Sequence, residues 1–529
     1  MQEIELKFQI PEAALVAIET ELQALAGGPL KPLPLRAAYF DTADRKLAGA
    51  RMALRVRQEG DEWVQTLKAG GSNTMMRLED NRAAPAATPG QDIAADLALH
   101  EGPARDALVR TLGWQPDADP HGRQCGLIQL YRTDIVRWRV QVTVARGTPE
   151  EGKVELALDL GHIQAGPLKL PVRELEIEAI DGNPMAVIAT GRDWVKRHGL
   201  WLDTQTKAHR GDRLARQADS LRQAPPEQAE AWLAAWTSRP CPFEAGAATE
   251  ARPAKLAPDA TVDQAWRAGV EACLEHLTGN LSELATLSPA DPGPAAYEWR
   301  RSLRRLHALS RLWAHSPTPF PHAAAAQARR LARQLGWWRD QASLAWLPGK
   351  LARRHVTDMP LPQPPCPAGL PTSVVELARS PAATSLCLDL LAALLHPVDV
   401  DEDNAQPWTP WLQAQLERRT RKLARQAERY RQLDAGQRHR LRQRLRRLHD
   451  LIELHAAPAQ LGQQPALALA LRQLGALQDE AVALDWYRRA SEQDDRAQAA
   501  VGWLMARQGK LKRRARKALQ AWAAGLPPA

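Results

Sequence analysis

Charged side chains recur at every second position of segments whose intervening residues are apolar, and this alternation limits how the chain can fold more than any other feature. Glu3, Glu5 and Lys7 alternate with Ile4, Leu6 and Phe8. In an extended strand successive side chains point to opposite faces, so one face here is charged and the other apolar. The pattern returns with Arg55 and Arg57, with Glu155 and Asp159, and with Glu174, Glu176 and Glu178. Carboxylates sharing a strand face repel one another and need cations, which neighbouring strands supply as Arg and Lys. If the sheet closes into a barrel with these faces inward, acids and bases converge in one polar lumen. Acidic clusters suit hard divalent cations such as Mg²⁺ or Mn²⁺, and the Arg/Lys set suits phosphate oxygens. A metal-bridged polyphosphate satisfies both.

The rest of the chain has a different character. Strand-type runs at 3–9, 52–58, 63–68, 127–144, 153–160 and 172–180, with helical patterns at 11–25 and 184–198, predict an antiparallel β domain with accessory helices over residues 1–218. Residues 219–258, with Arg239-Pro-Cys-Pro, Pro253, Pro258 and a short helical piece near Trp232, predict a linker. Residues 259–529 keep three- and four-residue apolar spacing throughout and predict an all-α helical bundle. The expected fold class is α+β multidomain. Residues 1–218 carry 28 basic against 30 acidic side chains, and the remainder 42 against 31, so the net charge of +9 belongs to the second half. Such a half suggests a polyanion partner.

Within the helical half a duplication is visible. Arg300-Arg-Ser-Leu-Arg304-Arg305-Leu-His307 returns as Arg442-Gln-Arg-Leu-Arg446-Arg447-Leu-His449, and Leu335-Gly-Trp-Trp-Arg339-Asp340 returns as Leu474-Gly-Ala-Leu-Gln478-Asp479. The nearly equal offsets predict a two-fold pseudo-repeat. Arg300, Arg304 and His307, like His439, Arg442, Arg446 and His449, fall on one helical stripe. Equivalent stripes in a duplication point to a shared anion-binding surface. The five dispersed cysteines lack a CxxC pair and indicate neither disulfides nor zinc. A start without a signal-peptide pattern, and an apolar stretch at 386–395 interrupted by Asp389, lead to an expectation of a cytoplasmic protein without a membrane span. Nothing identifies a protein partner.

At this point a resemblance becomes specific. Glu3-Ile-Glu5-Leu-Lys7 resembles the ExExK signature of the CYTH, or triphosphate tunnel metalloenzyme, family. It is followed in order by Tyr39-Phe-Asp41, Leu54-Arg55-Val-Arg57, Thr66-Leu-Lys68, Arg77-Leu-Glu79, Tyr131-Arg132, Glu155 with Asp159, Glu174-Leu-Glu176-Ile-Glu178 and Lys207-Ala-His-Arg210-Gly211. The arrangement is most similar to bacterial inorganic triphosphatases. Where many relatives place a second acid after Arg77-Leu-Glu79, this chain has Asn81. The resemblance implies a barrel tunnel holding a linear triphosphate. Lys7, Arg55, Arg57, Lys68, Arg77, Arg132, Lys207 and Arg210 would then grip phosphate oxygens. Glu3, Glu5, Glu176 and Glu178 would hold metal, supported by Glu155, Asp159 and Glu174, and Glu3, Glu5, Lys7, Glu176 and Glu178 would form the catalytic set. It implies hydrolysis to pyrophosphate and phosphate by in-line attack of water, without a phosphoenzyme. Thiamine triphosphate, nucleotide or RNA 5′-triphosphate hydrolysis and adenylate cyclisation are the alternatives on the same barrel. A non-catalytic polyphosphate scaffold is the alternative of another class.

The helical half resembles a CHAD domain, an α-helical module associated with polyphosphate binding, through His439-x-x-Arg442-x-x-x-Arg446-Arg447-Leu and Leu474-Gly475-x-x-Gln478-Asp479. In the first copy Tyr297 stands where histidine is expected before Arg300. The resemblance implies polyphosphate contacts from Arg300, Arg304, Arg305, His307, Arg339, His439, Arg442, Arg446, Arg447 and His449. Nucleic acid is the rival polyanion. Against it, no DNA- or RNA-binding motif is present, and Trp266, Trp313, Trp503 and Trp522 fall at core spacing.

Overall fold

The computed structural model describes residues 4–70, 77–86, 93–238, 246–287, 293–314, 320–354, 361–362, 365, 368–396, 406–455 and 464–526. It divides into two compact units. The first comprises Met1–Gly246 with Ala285–Asp291 and Ala378–Leu388, and the second comprises Ala247–Leu284, Pro292–Leu377 and Asp389–Ala529.

In the first unit the strands are β1 (Glu5–Gln9), β2 (Leu33–Thr42), β3 (Met52–Glu59), β4 (Glu62–Gly70), β5 (Arg77–Ala83), β6 (Leu127–Val144), β7 (Gly152–Ala165), β8 (Leu168–Gly182) and β9 (Trp201–Leu202). They form one antiparallel sheet in the order β5-β4-β3-β2-β6-β7-β8-β1-β9. The sheet curls into a tunnel, and the alternation in sequence decides what faces where. Leu6, Phe8, Leu175 and Ile177 are buried on the outer face. Helix α4 (Met185–His198) packs there, closely enough that the Phe8 ring lies 3.0 Å from where a Cβ on Gly191 would stand. Ala38, Phe40, Leu54, Val56 and Leu67 form a second outer core with α3 (Gly102–Leu112).

The inner face is divided along the strands. One half is apolar: Leu35, Ile135, Ile163, Leu168, Leu170 and Val172 pack on Leu214, Ala215 and Ala218 of α5 (Lys207–Gln223). The other half carries the charges. Tyr131 lies where these halves meet, and it explains Gly211: a Cβ on that residue would stand 2.1 Å from the Tyr131 ring. The missing side chain allows the first turns of α5 to enter the tunnel. The segment expected to be linker begins as structure, because α6 (Pro226–Ser238) brings Trp232 and Trp236 against the same apolar half.

The second unit is helical. It contains α7 (Val262–Ala285), apart from its last residue, α8 (Gly293–Leu312), α9 (His322–Ala352) and α12 (Trp408–Glu428), followed by α13 (Ala435–His455), α14 (Gln464–Ala490) and α15 (Arg496–Ala524). Short α10 (Val374–Ala378) and α11 (Pro381–Leu395) are divided between the units. Together they make the one stretch among the described residues apolar and long enough to cross a membrane, and half of it is buried inside the protein. The duplicated sequences fall on α8 and α13, which pack together, and on α9 and α14, which also pack together.

Candidate functional site

Cross-strand register builds the charged half of the tunnel as three rungs. Glu5 lies opposite Glu178, which lies opposite Glu155; Lys7 lies opposite Glu176; Gln9 lies opposite Glu174, which lies opposite Asp159 and then Arg137. Directly opposed like charges are destabilising, so cations must come from elsewhere. Two of them arrive from α5. The Lys207 ammonium lies 2.7 Å from Asp159 Oδ2, 2.6 Å from Glu174 Oε2 and 2.9 Å from Glu176 Oε1. Arg210 donates to Glu174 Oε1. From β6, Arg137 makes a two-pronged contact with Asp159 at 2.6 and 2.7 Å and also donates to Glu176.

These groups are deeply placed, with Asp159 1% and Glu174 0% exposed. Burial raises the pKa of the Glu176 carboxyl, but the Lys207 and Arg137 charges outweigh it and hold the group far below its ordinary range. Burial acts against the charge on Lys207, yet Glu176 and Asp159 prevail and raise its pKa. Lys7 has less compensation, and burial pushes its ammonium down to about 8 despite Asp203.

Across the tunnel, Arg55 and Arg57 of β3 share the inner face with Tyr39 of β2. Tyr39 stacks on Tyr131 with ring centroids 4.7 Å apart, and the Tyr131 hydroxyl donates to Ala208 O at 3.0 Å. Burial raises the Tyr39 pKa, and Arg55, Lys207 and Arg57 more than reverse it, so the β3 arginines and the α5 lysine act on one place. Lys68 pairs with Glu79 at 2.8 Å on the same face. Asn81, beside Glu79, donates to its carboxylate at 3.2 Å.

The structure therefore brings together Lys7, Asp159, Glu174, Glu176, Lys207 and Arg210, and sets Glu5, Glu155 and Glu178 on the adjoining rung. Glu3 and the side chain of Arg77 lie outside the described residues. Arg132 is a correction. Tyr131 faces the tunnel, so its neighbour must face out, and Arg132 donates to Gln164 at 3.0 Å on the exposed side. Arg137 takes the inward position instead. Counting every second residue from Tyr131 leads to Arg137, and that signal was available in the sequence. Asp159, Glu174 and Glu176 each present an oxygen within 4.8 Å of the others. An all-carboxylate set of this size fits a hard divalent cation, and Lys207 and Arg137 bridge it here.

In the helical unit the duplicated positions meet. Arg300 and Arg304 of α8, Arg339 of α9, and Arg442 and Arg446 of α13 act on one another. Burial lowers the pKa of Arg300 to about 9, with Arg339, Arg304 and Arg446 adding to it. Burial lowers that of Arg442 to about 10, with Arg446 and Arg339 adding. The neighbouring guanidinium charges thus add to the cost of burial at both positions. Among the described residues, the buried Nε atoms of Arg300, Arg304, Arg339 and Arg442 have no hydrogen-bond partner. Arg304 Nε is 3.9 Å from Asp450, and Arg339 pairs with its neighbour Asp340.

The other expected residues are placed differently. Arg305 is a second correction: one residue beyond Arg304 it turns about 100° around the helix. It is 1% exposed and donates to Arg252 O at 2.7 Å. His307 meets Arg447 at 3.4 Å beside the cluster. His439 is held by Gln478 at 3.0 Å, and His449 faces Glu453 at 3.4 Å.

The charged half of the tunnel thus sets paired carboxylates and cations on one inner face. Residues 1–211 match the family profile of the CYTH domain. Over 216 residues the chain is 28% identical to an inorganic triphosphatase of Haemophilus influenzae, an overlap of 40% of this chain and 54% of that protein. The chain thus spans about half the length of that curated relative. Among solved structures, the CHAD domain of Ricinus communis is 22% identical, with 53% of this chain and 98% of that one covered at a TM-score of 0.41. A putative adenylyl cyclase from Hippeastrum, described as having a dominant triphosphatase activity, is 23% identical, with 39% and 92% covered at a TM-score of 0.28.

Proposed function

We propose that the N-terminal unit hydrolyses inorganic triphosphate to pyrophosphate and phosphate with Mg²⁺ or Mn²⁺, and that the helical unit binds longer polyphosphate. The observation that carries this reading is the convergence of Asp159, Glu174 and Glu176 with Lys7, Arg137, Lys207 and Arg210 on one tunnel face. The CYTH match and the curated relative's activity support it.

Asp159, Glu174 and Glu176 would hold the metal, which when bound neutralises phosphate charge and acidifies the attacking water. The protein's cations do the rest. Arg55, Arg57 and Lys68 on one side and Lys7, Arg137, Lys207 and Arg210 on the other clamp phosphate oxygens and fix the chain in line. Lys207 and Arg137, which bridge these carboxylates, would also lie within reach of substrate oxygens bound beside them. Catalysis is positioning and charge stabilisation.

Purified full-length protein with Mg²⁺ or Mn²⁺ should release phosphate from tripolyphosphate, and no release with either ion overturns the reading. A panel with thiamine triphosphate, nucleoside triphosphates and 5′-triphosphorylated RNA separates the neighbouring chemistries, a cyclase being marked by cyclic AMP. Binding of long-chain polyphosphate on filters tests the helical unit, and the mutual repulsion of the clustered, buried arginines supports that half of the reading.

A further inference from the structure

The arginine cluster of the helical unit adjoins a cavity that polyphosphate does not need. Helices α9 and α14 border a half-open groove of about 430 Å³, within the size range of small-molecule sites. Its walls include the rings of Trp337 and Trp486, the aliphatic Leu344 and Val482, and the amides of Gln341 and Gln478. A bare phosphate chain gains nothing from indole rings or from Leu344.

The cavity joins the cluster through shared and adjacent residues. Asp340 lines the cavity, pairs with Arg339 and acts on Arg300. Gln478 lines it and holds His439, while its neighbour Asp479 faces Arg339, Arg442 and Arg446. On the far side Asp485 is anchored by Arg489 at 2.7 Å. The acids thus border the cavity, and the unpartnered guanidinium nitrogens lie in the cluster beside it.

We propose that this site binds a nucleoside polyphosphate, with the base between Trp337 and Trp486 and the phosphates on Arg300, Arg339 and Arg442. A flat ring offers its face to indole and its edge donors to the carboxylates and amides, while its anionic tail meets a group of mutually repelling arginines, of which Arg339 is paired with Asp340. The phosphate half of this inference rests on the polyphosphate reading given above; the base half stands on the cavity alone.

The test is photolabelling of the full chain with 8-azido-ATP, followed by peptide mapping. Label on peptides carrying Trp337 or Trp486, displaced by ATP and not by adenosine, is expected; label confined to residues 1–246 overturns the proposal. Equilibrium dialysis of ATP against Trp337→Ala and Trp486→Ala supplies the second measurement. Loss of one base-stacking partner should weaken ATP at this site by about tenfold, with polyphosphate retention unchanged. If both variants bind ATP as the parent does while polyphosphate is still retained, the nucleotide proposal falls and the polyphosphate reading stands. If the parent retains no polyphosphate but the mapped label appears, the reverse holds.

Discussion

The tunnel and the helical cluster both bury cations, and they differ in how closely carboxylates are set among them. In the tunnel Lys207 and Arg137 sit among Asp159, Glu174 and Glu176, and both cations are held more firmly charged than usual despite burial. In the cluster Arg300 and Arg442 face other arginines, and burial with that repulsion pushes them down to about 9 and about 10. In the tunnel three carboxylates surround Lys207 and offset its burial. In the cluster the arginines act on one another, and the Asp450 carboxylate lies 3.9 Å from Arg304. On the proposed reading, acids would serve a metal in the first site, and the excess positive charge of the second would favour a polyanion.

The strongest test of this contrast is Glu176→Gln, which should lower tripolyphosphate turnover on the order of 100-fold or more in a phosphate-release assay. Polyphosphate retention should be untouched. The reciprocal change, Arg442→Glu with Arg446→Glu, should abolish retention on filters while leaving tripolyphosphate turnover at the parent rate. Retention surviving at moderate salt would show that the cluster is not the binding surface.

Within the tunnel, Arg137→Ala should cost turnover by about 10- to 100-fold, and Arg132→Ala should leave it unchanged. Equal effects would mean that the assignment of faces on β6 is wrong. Gly211→Ala should disturb the seat of α5 on Tyr131 and destabilise the first unit by about 1–3 kcal/mol, read as a lower melting temperature.

A last effect concerns acid. His455 lies between the Trp313 and Trp408 rings, and burial with Arg305 lowers its pKa to about 3. Its ordinary value is near 6.5, so between these limits the unfolded chain binds the extra proton. Stability must therefore fall as pH drops through that window, by at most about 1.4 kcal/mol per pH unit. His455→Leu should flatten the pH dependence of the helical unit's melting temperature between pH 6 and 4.

Much of the tunnel was legible because a half-buried strand writes its two faces as alternation. Glu174, Glu176 and Glu178 declare their common side, and Glu5 and Lys7 theirs. β2 was harder: Ala37 through Thr42 are buried on both faces, so no alternation marks Leu33–Thr42 as a strand. Arg132 was misplaced because a motif match was read without its parity, although adjacent strand residues cannot share a face. Arg305 failed for the helical version of the same reason. The Lys207 bridge between three carboxylates was not legible, because it depends on α5 entering the tunnel. Gly211 hinted at a close approach without naming Tyr131. In the helical half the duplication foretold that Arg300 would meet Arg442, and the resemblance set Arg339 with them, where it acts on both.

The seating of α5 has one more consequence. By filling the apolar half of the concave face, the helix acts as a plug there and leaves the charged half as the part of the interior where polar groups gather.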